Sequence, residues 1–136
     1  MVKVSKDQII KEMQAYFGAD QKRINHALKV TQYAEELLAK GAGDYDVVIA
    51  AAVLHDIGIH EAEGKYNSNA GQYQEIEGPP IARGILEKLG ATSALIEEVC
   101  EIIAHHHHPG VVQTKNFQIL YEADYRVNRE EASLKG

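Results

Sequence analysis

Apolar positions recur with a helical period along the chain, and breaks of glycine, proline and polar residues divide it into about six segments. Ser5, with Gln8 three residues later, forms a capping-box pattern ahead of Ile9, Ile10, Met13 and Phe17, and Gly18 closes that first helix. Asp20 caps a long second helix that runs to about Lys40 and stops at Gly41. The third, from about Asp46 to Ile57, is short and apolar on every side, which predicts the central helix of a bundle. From Gly58 to Gly78 the chain turns polar and glycine-rich and reads as a long loop, longer than compact domains use without a functional reason. Pro79 and Pro80 open a fourth helix that ends at Gly90. Thr92 or Ser93 starts a fifth, stopped by Pro109 and Gly110, and Asn116 caps a sixth from about Phe117 to Glu130. No strand alternation, internal repeat or linker interrupts the series. The expectation is one all-α domain over residues 1–136, a compact bundle of about six helices.

Composition narrows the classes of partner. A chain of 136 residues can bury a sizeable core, and a formal charge of −6 leaves no basic surface for nucleic acid. The single Cys100 is in phase with Leu95, Ile96, Val99 and Ile103, so it reads as core; the lack of a second cysteine suits a reducing cytoplasm. The first residues lack the apolar segment of a signal peptide, and no apolar run is long enough to span a bilayer, so no membrane partner is expected.

The chemistry gathers at His55-Asp56, which follow the apolar run Val47–Leu54 directly. An ionised carboxylate against a hydrophobic segment is costly unless something positive meets it. His26 lies on the margin of the second helix's apolar stripe with Val30, Tyr33 and Leu37, where a histidine taken alone reads as a hydrogen-bonded core residue. Asp124 is in phase with Phe117, Leu120 and Val127, which requires either a metal or a buried ion pair with Arg126 or Arg83. Together these four residues supply a mixed nitrogen and oxygen set from three helices, suited to a divalent first-row metal with positions left for water and substrate. Four consecutive histidines, His105 to His108, end the fifth helix. Helical phase turns His106 inward with Val99 and Ile102, puts His107 at the edge, and turns His105 and His108 outward.

With these residues the chain resembles the HD superfamily of metal-dependent phosphohydrolases, as a small stand-alone member. The resemblance runs from about residue 20 to 130. It rests on His26 in Arg-Ile-Asn-His, Leu-His-Asp-Ile-Gly at 54–58, Ile-Ala-Arg-Gly-Ile-Leu at 81–86 and Ala-Asp at 123–124. It implies an all-α fold with His26, His55, Asp56 and Asp124 as metal ligands. Matched on Pro109, it also implies that His105 and His106 serve a second metal or the substrate phosphate; helical phase agrees on His106 and not on His105. Members that hold two metals usually carry a further histidine shortly before the fourth helix, where this chain reads Gln74-Glu75-Ile76-Glu77-Gly78. Glu75 or Glu77 would have to replace it, which favours one divalent ion per chain (Mn, Fe, Co, Ni, Zn or Mg). Ile59 after Gly58, and the lack of a Gly-Tyr-Pro element, separate the chain from the subgroup that acts on cyclic dinucleotides.

The expected function is therefore a metal-dependent phosphohydrolase that uses a metal-activated water on a small phosphorylated metabolite, a nucleotide first among them. Asp56 orients the water, as Asp124 would alternatively, and His106 or His60 protonates the leaving group. Lys65, Arg83 and Arg126 are candidates for phosphate contact. The alternative is a non-catalytic module of the same fold that binds metal or nucleotide and signals; oxygen chemistry at a di-iron centre would need more ligands than the pattern supplies. A homodimer is left open, since no exposed stripe specifies an interface.

Overall fold

Local signals set most of the helix boundaries. In the computed structural model, which describes residues 4–135, seven α-helices and no strand are found among the described residues. Helix α1 spans Lys6–Phe17, α2 Gln21–Ala39, α3 Tyr45–Leu54, α4 Ile59–Tyr66, α5 Gly71–Lys88, α6 Ser93–His105 and α7 Lys115–Lys135. Ser5 and Gln8 close both halves of a capping box on α1, Asp20 accepts from the Arg23 amide at the start of α2, and Thr92 accepts from the Leu95 amide at the start of α6. Asp44, two residues ahead of the expected start, caps α3 through the Val47 amide. Every residue of α3 from Val47 to Leu54 is at most 4% exposed, and α3 packs against α1, α2, α6 and α7. A helix with no polar face has only the centre of a bundle to occupy.

Three expectations need correction. The stretch from Gly58 to Gly78 is not a loop: α4 forms at Ile59–Tyr66, and α5 begins at Gly71 rather than at the prolines. Pro79 and Pro80 lie inside α5, where each lacks a backbone donor. The residue ahead of a proline ring resists helical geometry through its Cβ, and Gly78 has none. Ile76, whose carbonyl loses a partner to Pro80, lies on the exposed side of the helix at 57% exposure. Finally, Asn116 does not cap the last helix. Thr114 does, accepting from the Phe117 amide at 3.1 Å, while Asn116 accepts from the Asp44 amide at 2.8 Å and donates to Glu98 at 2.7 Å. It ties the start of α7 to the start of α3 and to α6.

Two of the glycines read as breakers, Gly58 and Gly78, are points of close approach. A Cβ on Gly58 would stand 2.5 Å from the Gly78 nitrogen and 2.9 Å from the Gln74 carbonyl oxygen, both backbone atoms that have no room to yield. One on Gly78 would meet the Ile103 side chain at 2.8 Å. The turn at residues 55–58, between α3 and α4, can lie on α5 only because both glycines are bare. Gly58→Ala should cost about 1–3 kcal/mol of stability through overpacking, measured by urea denaturation. A cost under about 0.5 kcal/mol, the range of ordinary surface changes, would contradict the close approach. Among the described residues no helix is long and apolar enough to cross a membrane.

Candidate metal centre

Four side chains converge where α2, the end of α3 and α7 meet. His26 Nε2 lies 3.1 Å from Asp124 Oδ1, 3.3 Å from His55 Nε2 and 3.4 Å from Asp56 Oδ2. His55 Nε2 lies 3.2 Å from Asp124 Oδ1 and 3.4 Å from Asp56 Oδ2. His55 is fully buried, and His26 and Asp124 are nearly so. The position of each follows from local sequence. His26 and Asp124 sit on the inward stripes of amphipathic helices, and His55-Asp56 is the first turn after α3.

Hydrogen bonding fixes which nitrogen of each ring faces the cluster. His55 Nδ1 donates to the Ala52 carbonyl at 2.7 Å, and His106 Nδ1 donates to the Ile103 carbonyl at 2.6 Å. A carbonyl can only accept, so both rings carry a proton on Nδ1 and, when neutral, aim a lone pair through Nε2. His26 Nδ1 does the same toward the Glu131 carboxylate at 3.0 Å. The cluster is thus made of electron-pair donors facing one another, an arrangement that only a cation or added protons can hold together.

Protons are one solution. Burial works to lower the His55 pKa, but the Asp56 and Asp124 carboxylates outweigh it and hold it well above the ordinary imidazole value. His26 follows the same pattern more weakly: burial opposes, while Asp124, Asp56 and Glu131 raise it. Burial likewise pushes Asp56 up, yet His55 and His106 bring it well below the usual carboxylate range, and Asp124 is lowered by His55 and His26 against its own burial. A divalent ion is the other solution, and the donor set fits one. Metal bonds of about 2.0–2.2 Å place neighbouring ligand atoms about 2.8–3.6 Å apart, in tetrahedral or octahedral arrangement. The separations of 3.1–3.4 Å fall in that range.

A second group adjoins the first. Asp56, His106 and His107 each bring a ligand atom within 4.8 Å of the others, as His26, His55 and Asp124 do among themselves. Asp56 belongs to both neighbourhoods: Oδ2 faces His26 and His55, while Oδ1 lies 3.3 Å from His106 Nε2. The His107 ring packs against Gly71, where a Cβ would stand 2.6 Å away, and its Nε2 is 3.2 Å from the buried Gln74 amide oxygen. Burial of part of the ring, helped by His106, lowers the His107 pKa.

The other expected site residues lie elsewhere. His105 bonds back to the Glu101 carbonyl and joins neither group. Glu75 is taken by the His107 amide and the His108 ring, and Glu77 by Lys65 at 2.9 Å and Tyr66 at 2.9 Å; neither carboxylate replaces the missing histidine. Lys65 is thereby engaged, as is Arg83, whose two-pronged pair with Glu97 spans 2.7 and 2.9 Å. Arg126 binds Glu122. No arginine pairs with Asp124, so the ion-pair reading of that residue fails among the described residues. His60 Nε2 sits 2.7 Å from Asp20 Oδ2, its ring edge-on to Phe17.

Two residues beside the cluster escape the sequence reading. His107 is displaced from helical phase because α6 ends at His105. Glu131 is seven residues past Asp124, on the same stripe of α7, and that spacing is a usable signal. Glu131→Gln should lower divalent-metal affinity by about 10–100-fold, read by competition with a chelating indicator, because it weakens the bond that orients His26. Unchanged affinity would remove Glu131 from the centre.

Three comparisons relate the chain to known proteins. The HD domain model matches residues 23–129. The symmetrical bis(5'-nucleosyl)-tetraphosphatase of Staphylococcus aureus is 31% identical over 116 residues, covering 77% of this chain; the chain spans 58% of that relative's length. The crystal structure of a predicted HD superfamily hydrolase from an uncultured Thermotogales bacterium superposes with a TM-score of 0.68 at 23% identity, covering 93% of this chain and 74% of the other.

Proposed function

This chain belongs to the HD domain family, and on that footing we propose that its buried histidine–aspartate cluster is the metal centre of a phosphohydrolase acting on a nucleotide polyphosphate. The observation that carries the reading is the convergence of lone pairs from His26, His55, Asp56 and Asp124, with each Nδ1 committed elsewhere. Those four residues would hold the ion. When bound, a divalent ion supplies a Lewis acid that acidifies water and polarises a phosphoryl oxygen.

The chain's own residues do the remainder. Asp56 has one oxygen toward His26 and His55 and the other toward His106, so it is placed to orient a water bound alongside them. His106 is fixed by the Ile103 carbonyl and keeps Nε2 available to take or return a proton. Burial of His55 and His106 keeps bulk water off those faces, which strengthens each electrostatic contact. Support for a nucleotide as substrate comes from the tetraphosphatase relative.

The sequence favours one ion per chain, but the group of Asp56, His106 and His107 supports a second reading with two. Elemental analysis of the untagged protein separates one ion from two. The function itself is tested by incubating the chain with nucleoside and dinucleoside polyphosphates and Mn²⁺, Co²⁺, Ni²⁺ or Mg²⁺. Phosphate or nucleotide release is expected. Saturable binding without release would replace the enzyme with a binding module.

A further inference from the structure

Arg23 Nε is a buried side-chain nitrogen without a hydrogen bond, and no other buried side-chain nitrogen or oxygen among the described residues shares that condition. The rest of the guanidinium is scarcely better served. Its Nη2 is 3.5 Å from Glu63 Oε2 and its Nε 3.8 Å from Asp20 Oδ2, both too long for hydrogen bonds. Asp20 is already committed, through Oδ1 to the Arg23 amide and through Oδ2 to His60. A guanidinium offers five donors in a planar fork, and a buried Nε–H left without an acceptor is costly.

The location matters as much as the vacancy in its bonding. Arg23 precedes His26 by three residues on α2, so the two are neighbours on one face of the helix. Glu63 and His60 come from α4, which begins directly after the turn that carries His55 and Asp56. We propose that Arg23 is the phosphate anchor of this centre, holding a phosphoryl group of the substrate adjacent to the one that reacts. The fork of Arg23 matches two phosphoryl oxygens at once, which lysine cannot reproduce. Glu63, with a side chain 43% exposed, is the group an incoming anion displaces. Lys65 and Arg83 are held by carboxylates of their own, so Arg23 takes the role expected of them.

The inference rests on the phosphohydrolase reading, and inorganic pyrophosphate titrated calorimetrically into metal-loaded, desalted protein separates the two. Expected are saturable binding to the parent chain, about tenfold or greater weakening in Arg23→Gln with metal content unchanged, an intermediate value for Arg23→Lys, and tighter binding in Glu63→Gln. Arg23→Gln binding as tightly as the parent would overturn the anchor while leaving the enzyme reading intact. Loss of metal together with anion would overturn it too, by making the role structural. If Arg23→Gln does not fold, Glu63→Gln decides: weaker or unchanged pyrophosphate binding contradicts the anchor. A parent chain that ignores pyrophosphate would fail the phosphohydrolase reading and the anchor with it.

Discussion

Asp56→Ala is expected to leave a folded chain that retains no divalent ion and releases phosphate on the order of a thousandfold more slowly. The size follows from position. Asp56 is the carboxylate that touches both groups, with Oδ2 at 3.4 Å from His26 and His55 and Oδ1 at 3.3 Å from His106. Deleting one partner of a buried charge set usually costs about 3–5 kcal/mol. Here His26 and His55 can shed their protons when the carboxylate goes, so the fold should survive with a smaller loss. The readouts are circular dichroism, metal content and phosphate release measured together. An Asp56→Ala chain that keeps both metal and activity would sink the assignment.

Metal removal should produce the largest change in stability, and the change should depend on pH. An ion present at about 1,000 times its dissociation constant adds about 4 kcal/mol to the folded state, worth about 10–20 °C in melting temperature for a chain of this size. In the metal-free protein, protons take the place of the ion. His26 and His55 have folded pKa values raised above the unfolded imidazole value, so their stabilisation is complete below about pH 6.5 and is lost as pH rises through the folded values. Asp56 and Asp124 are depressed, so theirs is present above about pH 4 and is lost as pH falls through the folded values. From these four groups the metal-free fold is most stable between about pH 4 and 6.5. Ion and protons compete for the same lone pairs, so metal binding strengthens as pH rises. The gap in melting temperature between metal-loaded and EDTA-treated protein should be small at pH 6 and large at pH 8. An equal gap, or a larger one at pH 6, would contradict the account.

What the sequence disclosed was governed by locality. Ser5 with Gln8, Asp20 and Thr92 act within one helical turn, and the apolar run at 47–54 admits only a central position, so those elements were legible. Helix α4 and the start of α5 were not. Gly58, Gly71 and Gly78 suggest breaks when read alone, but each is bare to let another element approach, and that partner is distant in sequence. Asn116 misled for the same reason, because its hydrogen bonds go to Asp44 and Glu98 instead of to its own helix.

The site divides along the same line. Helical phase turns His106 and Asp124 inward and sets His26 at the margin, and the structure gathers them with His55 and Asp56. Phase puts His107 only at the edge, and it does not tell which cation lacks a hydrogen-bond partner. Lys65, Arg83 and Arg23 look alike as charged residues. Only the folded chain shows that Glu77 and Glu97 hold the first two and that nothing holds the third by a hydrogen bond.

The central claim is that His26, His55, Asp56 and Asp124 together hold a divalent ion. Anomalous diffraction from crystals of the Mn²⁺-loaded chain tests it most directly. The account predicts a peak within about 2.0–2.3 Å of His26 Nε2, His55 Nε2 and an oxygen of each aspartate. A fully loaded crystal with its anomalous peak elsewhere, and none among these four side chains, would contradict it.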